Sequence, residues 1–131
     1  MTELNQKVEQ YDLREHVIFL GRRNDIPDLL KMIDILIIPS AFEGFPLAGL
    51  AAAAAAGVPV IACDAAGAEE FIRVSRDGVT FAEDDVDSAA DAVGKILEGK
   101  EQYKKAGIEF ASQMSNREYS TKVEQIFKSI E

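Results

Sequence analysis

Glu43 lies within Pro39–Asp64, PSAFEGFPLAGLAAAAAAGVPVIACD, in a loop between an apolar run and a helix-forming run. A carboxylate placed there accepts hydrogen bonds from the hydroxyls of a ligand, or it helps to cap the next helix, where the peptide dipoles favour negative charge. Gly44, Phe45, Pro46 and Leu47 precede or open that helix. Backbone N–H groups at a helix start have no intrahelical acceptor, so they suit an anion or a hydroxyl oxygen. Gly44 would let a ligand approach the backbone closely; plain turn chemistry accounts for the same residues. Arg22 and Arg23 follow the end of another apolar run. They could contact a base or a phosphate, or they form a solvated pair. His16 has neither a second His nor a Cys to work with and reads as structural. The single Cys63 excludes an intramolecular disulfide and a cysteine cluster for zinc. At the end of a buried strand it reads as a structural thiol. No Ser-His-Asp arrangement, metal cluster or Walker-type phosphate loop is present.

The elements that must position these residues are legible around them. Ile35–Ile38 is apolar and rich in β-branched residues, as in a strand buried on both faces. Pro46 suits the first turn of a helix, Leu47–Ala56 is helical by propensity, and Gly57 stands where such helices stop. Val58–Ala62 is the next strand, with Pro59 near its start, where proline is tolerated. This is one β-α-β crossover, with Glu43 at the carboxyl end of a parallel strand, where open α/β sheets bind ligands. The run Ala51–Ala56 is read either as close helix–sheet packing or as altered or unassigned sequence.

Further strands are expected at Val17–Leu20 and Val79–Phe81. An opening helix carries Leu4, Val8 and Tyr11 on one stripe. A short helix capped by Asn24 or Asp25 should turn Ile26, Leu29, Leu30 and Ile33 inward, and another spans Glu69–Val74. Asp84 and Asp85 begin a helix with Val86, Ala90, Val93 and Leu97 as its inner face, ended by Gly99. Tyr103, Gly107, Phe110 and Met114 mark the next. Asn116 should cap a last one, with Tyr119, Val123, Ile126 and Ile130 on one face.

The chain has 131 residues, enough for one domain with a sizeable core. Its formal net charge of -9 disfavours nucleic acid and anionic membrane, which draw on clustered Lys and Arg. Phe45–Cys63 is uncharged, but alanine is weakly apolar and Gly57 and Pro59 break the helix, so a membrane span is rejected. A cytoplasmic, soluble protein is expected.

In these segments the chain resembles the nucleotide-binding half of retaining GT-B-type glycosyltransferases, the large family 4 class. VIFLGRRNDIPDLLKMIDILIIPSAFEGFPL is similar to the family's run from a core strand to the donor loop, and AAGVPVIACDAAGAEEFI to its next strand and short helix. The resemblance covers residues 8–81, and beyond them only the helix pattern. It implies an α/β fold, a three-layer αβα Rossmann-like parallel sheet forming part of a GT-B C-terminal domain. Residues 1–131 would be a single domain that lacks the acceptor domain. Glu43, Gly44, Phe45, Pro46 and Leu47 would face the donor sugar, and Arg22 and Ala51 the nucleotide. The donor would be a nucleotide diphospho-sugar used for hexosyl transfer, with no cofactor and no metal. No catalytic residue is assigned, because family catalysis also leans on the acceptor domain.

The departures are specific. The family's second glutamate falls at Ala51, or at Ala52 when counted back from Gly57. Two opening β-α units, which carry the cations for the diphosphate, have no counterpart. The chain alone is therefore expected to be inactive, and the rival reading is a non-catalytic natural or engineered α/β module. The absent units would be the central strands, so the open sheet edges are expected to pair with another copy, giving a homo-oligomer or strand-exchanged dimer.

Overall fold

In the computed structural model, the described residues are 2–41, 44, 46–64 and 66–114. The elements run α1 (Thr2–Gln10), α2 (Ile26–Leu30), β1 (Leu36–Ile38), α3 (Leu47–Ala56), β2 (Val60–Cys63), α4 (Ala66–Ser75), β3 (Gly78–Phe81), α5 (Val86–Glu98) and α6 (Lys100–Gln113). The three strands form a parallel sheet in the order β1-β2-β3, with Leu36 opposite Val60 and Val60 opposite Gly78.

Strand alternation sends side chains to opposite faces and so makes three layers. On one face Ile38, Val60 and Ala62 pack with Ala68 and Phe71 of α4, and Phe110 of α6 closes over them. On the other, Ile61 meets Ala92 and Ile96 of α5. A smaller cluster of Leu30, Ala52 and Val58 fastens α2 to α3. This is the expected Rossmann-like αβα architecture.

The crossover is built by its punctuation. Pro46 takes the N-cap position of α3, and Gly57 ends the helix in the left-handed conformation, φ 61°. A Cβ on Gly57 would lie 2.8 Å from Lys104 O and from Ile108 Cγ1, so glycine here serves both the turn and the approach of α6. β2 begins at Val60 rather than Val58, because the Val58 N–H is spent on Ala52 O at 3.3 Å. Pro59 has no N–H and contributes only its carbonyl, which accepts from Leu36 N at 3.0 Å. The close-packing reading of the alanine run holds on one side of α3, where Gly49, Ala52 and Ala53 are buried. Nothing in the structure explains the exposed Ala48, Ala51 and Ala54.

Several expectations are corrected. Val17–Leu20 is not a strand; it has no ladder partner among the described residues, and Ile18 is 82% exposed. Apolar, β-branched composition favours a strand only where another strand offers its hydrogen bonds. In α2 only Leu30 is buried, while Ile26 and Ile33 are exposed. That helix has five residues, and the Asp25 side chain does not cap it because Arg23 holds the carboxylate. Leu4 and Tyr11, expected inward from α1, are exposed. The inner face of α5 is Ala92 and Ile96 with Val93 beside them, not Val86 and Leu97, which are 81% and 59% exposed. The Asp85 carboxylate accepts from Ser88 N at 2.9 Å, and Ser88 Oγ accepts from Ala82 N at 3.1 Å. The buried face is the one that packs on Ile61, about one position from the stripe the sequence suggests. The expected last helix, Asn116 with Tyr119, Val123, Ile126 and Ile130, lies outside the described residues.

Candidate functional site at the carboxyl ends of the strands

Parallel strands bring the segments that follow them to one edge of the sheet. There an open depression of about 350 Å³ is lined by Pro39 after β1, Cys63 and Phe81 at the ends of β2 and β3, and Asp84 and Val86 at the start of α5. Its rim is acidic, since Glu83 and Asp85 join Asp84. Cys63 is a buried free cysteine, as expected of a structural thiol. Sequence reasoning singled out none of these residues as site residues. The available signal was position alone, because residues directly after parallel strands line such crevices.

α3 opens onto the same edge. The first intrahelical bond is donated by Leu50 N to Pro46 O at 3.1 Å, and among the described residues no side chain caps the helix. The N–H groups of Leu47, Ala48 and Gly49 therefore have no acceptor within the helix. Pro46 is buried and holds the entry of the chain, while Leu47 is 71% exposed. Gly44 is exposed, and a Cβ there would meet nothing within 4 Å, so neighbouring atoms do not demand a glycine. Glu43 and Phe45 lie outside the described residues.

Ala51 and Ala52 are cleanly separated. Ala51 is exposed, whereas Ala52 is fully buried between Leu30 and Val58. A carboxylate at Ala52 would sit in an apolar cluster, so only the Ala51 register could present an acid to a ligand.

Arg22 is exposed in the loop before α2, and among the described residues no hydrogen bond or ion pair ties it to the start of α3. Its neighbour Arg23 is committed to Asp25, with Nε to Oδ1 at 2.8 Å and Nη2 to Oδ2 at 2.5 Å. The bidentate guanidinium holds the Asp25 carboxyl below its usual range. Lys100 is likewise held by Asp34 at 2.5 Å, which lowers the Asp34 pKa. These pairs leave Arg22 as the cation on this loop that a ligand could recruit. Among the described residues, no group of His, Cys, Asp and Glu could hold a metal ion. None of the described helices is long and apolar enough to cross a membrane.

Comparison with known proteins places this arrangement. The chain is 31% identical over 101 residues to the lipopolysaccharide core biosynthesis mannosyltransferase LpsB of Rhizobium meliloti, covering 76% of this chain and 28% of that protein. It is 35% identical over 89 residues to the UDP-Gal:alpha-D-GlcNAc-diphosphoundecaprenol alpha-1,3-galactosyltransferase of Escherichia coli, covering 68% and 23%. Among solved structures, Anabaena HepE in complex with UDP-glucose superposes with a TM-score of 0.78 at 27% identity, over 98% of this chain and 36% of that one. The C-terminal domain of the group 1 glycosyl transferase LpcC from Francisella tularensis gives 0.67 at 29% identity, over 86% and 60%. The chain thus spans about a quarter of the length of these curated relatives. The family model for glycosyl transferases group 1 matches residues 2–113, and the chain belongs to that family.

Proposed function

We propose that this chain is the nucleotide-sugar-binding part of a retaining, family 4 hexosyltransferase, and that the 131-residue chain by itself binds its donor without turning it over. The observation that carries the reading is the start of α3, whose first N–H groups have no acceptor within the helix, at the carboxyl edge of a parallel sheet, directly after the loop that holds Glu43. In this reading Glu43, Gly44, Phe45, Pro46 and Leu47 take the donor sugar, and Arg22 and Ala51 flank the nucleotide. HepE, whose structure contains UDP-glucose, is similar over nearly the whole chain and lends its ligand to the proposal. Catalysis in such a site rests on electrostatic stabilisation of the departing diphosphate. Here the rim contributes acids rather than cations, and Ala51 offers no hydrogen bond to a ribose. These two features also favour the rival, a module that keeps the fold without catalysis.

Calorimetric titration with UDP, UDP-glucose, GDP and ADP, followed by an assay for released nucleotide diphosphate, tests the reading. Binding is expected without release above the buffer blank. Glu43→Gln should weaken UDP-glucose about tenfold, the equivalent of one hydrogen bond to a charged group, and UDP by much less. Equal loss of both ligands would remove Glu43 from the sugar subsite. No binding of any nucleotide would leave the rival module as the better account, and release of diphosphate would refute the inactivity.

We further propose that copies associate through the open sheet edge, as a homo-oligomer or strand-exchanged dimer. Among the described residues β1 pairs only with β2, and Ile37 at its centre is 50% exposed although its register partner Ile61 is fully buried. Light scattering at micromolar concentration should return a mass above the 14.3 kDa of one chain, and a monomer would overturn the proposal.

A further inference from the structure

Asp77 is the buried acid of this fold. Its residue surface is fully inaccessible, between the end of α4 and the start of β3. Oδ1 accepts from Ser75 Oγ at 2.6 Å, while Oδ2 is buried with no hydrogen-bond partner. The backbone is committed as well, since Asp77 O accepts from Val60 N at 3.0 Å and joins β3 to β2. That bond fixes the backbone of the residue beneath α6.

α6 comes down directly on this carboxyl. Gly107 is buried, and a Cβ there would lie 3.1 Å from Asp77 Cβ, 3.3 Å from Ala53 Cβ and 3.5 Å from Asp77 Oδ2. Asp77, Ala53 of α3 and Gly107 of α6 therefore meet at one point. No countercharge reaches it. α3 has no titratable group, and β2 carries only Cys63 at its far end. On α4, Glu69 stands a turn and a half before Ser75, Arg73 is held by Glu70, and Arg76 follows Ser75 with φ 56°. On α6, Lys104, Lys105 and Glu109 flank Gly107. None of these charges forms a hydrogen bond or ion pair with Asp77 among the described residues.

We propose that Asp77 is a proton-operated latch for α6: protonated, it lets α6 seat on α3 and β3, and ionised, it loosens that seat. A buried carboxylate with one oxygen unsolvated is costly. The protein relieves it by taking up a proton or by letting α6 lift so that water reaches Oδ2. Burial raises the Asp77 pKa to about 6 against the hydrogen bond from Ser75, which pulls the other way. With the folded-state value above the ordinary 3.8, the folded chain holds the proton more tightly than the unfolded chain. The stabilisation is complete below about 3.8 and is lost as pH rises through about 6. The latch is independent of whether the site takes a nucleotide sugar.

Urea unfolding followed by circular dichroism at pH 5 and 7.5, with native-state hydrogen exchange of α6, tests the proposal on the whole chain. Because other carboxylates also titrate, the decisive quantity is the difference between wild type and Asp77→Asn. The wild-type unfolding constant should rise about tenfold more than that of the variant between the two values. The α6 amides around Gly107 should lose protection over the same interval in wild type and not in the variant. Should Asp77→Asn fail to fold, Ser75→Ala replaces it, since removing the hydroxyl that favours the anion must move the midpoint to higher pH. Parallel profiles for wild type and Asp77→Asn, or an unmoved midpoint in Ser75→Ala, would overturn the latch.

Discussion

Gly78→Ala is expected to remove a large share of the stability of the fold. Gly78 opens β3 opposite Val60, and a Cβ there would overlap the Val60 carbonyl oxygen and lie 2.7 Å from its carbon. The obstruction is backbone, which cannot rotate away as a side-chain tip can. Ile72 Cδ1 at 2.9 Å closes the other direction. Either β3 separates from β2 or both strands shift, and Asp77 O would then lose Val60 N. Overpacking alone costs about 1–3 kcal/mol, and a lost ladder adds to it. A small domain holds about 5–15 kcal/mol in all. Circular dichroism and a urea titration of Gly78→Ala should show a loss of about 3 kcal/mol or more; a variant within about 1 kcal/mol of wild type would show that the strands separate here at little cost.

Phe71→Ala carries the second large effect. Phe71 is 1% exposed, packs with Ile38, Val60, Ala62 and Ala68, and meets Phe110 edge to face at 5.7 Å and 87°. It thus joins the sheet to α6 as well as to its own helix. Truncation of a buried Phe costs about 3–5 kcal/mol, through lost transfer energy and the cavity left behind. The ring also explains Gly49, because a Cβ on Gly49 would lie 3.2 Å and 3.3 Å from two of its carbons. With the ring gone, Gly49→Ala should turn from unfavourable to stabilising, since alanine gains up to about 1 kcal/mol over glycine inside a helix and fills part of the hole. A double-mutant cycle measured in urea should therefore give a non-additive pair. Additive costs would mean that Gly49 and Phe71 do not share this space.

The central crossover was readable because its punctuation is local. Pro46, the alanines and Gly57 act within a turn of themselves, so α3 falls at Leu47–Ala56 as the sequence implies. Other features depend on partners that spacing does not reveal. Val17–Leu20 has a strand's composition and no strand beside it among the described residues. The inner face of α5 lies one position from the expected stripe, because Val93 lies near both stripes and the choice is made by packing on Ile61 of β2. Of the two cap candidates, Asn24 and Asp25, the structure places Asp25 at the N-cap, but Arg23, two residues away, takes its carboxylate. For the candidate site, the loop after β1 stands out in the sequence, since charge and glycine after an apolar run are local signals. The depression along Pro39, Cys63, Phe81 and Asp84 could not, since nothing but strand direction assembles it. Ala51 and Ala52 were interchangeable in sequence and became distinct only when α2 covered one of them.

The sheet repeats in space the order of its strands along the chain. Each ladder therefore closes over a single crossover, and no strand waits for a segment made much later. A nascent chain emerges N-terminus first at about 5–20 residues per second. β2 can pair with β1 once α3 has cleared the ribosome, and β3 can join when α4 has followed. Loop-closure entropy is met in small, equal instalments instead of one large one. Assembly of these elements can then run as a zipper in the direction of synthesis, with α6 following α5 to seal the face that α3 and α4 have laid down.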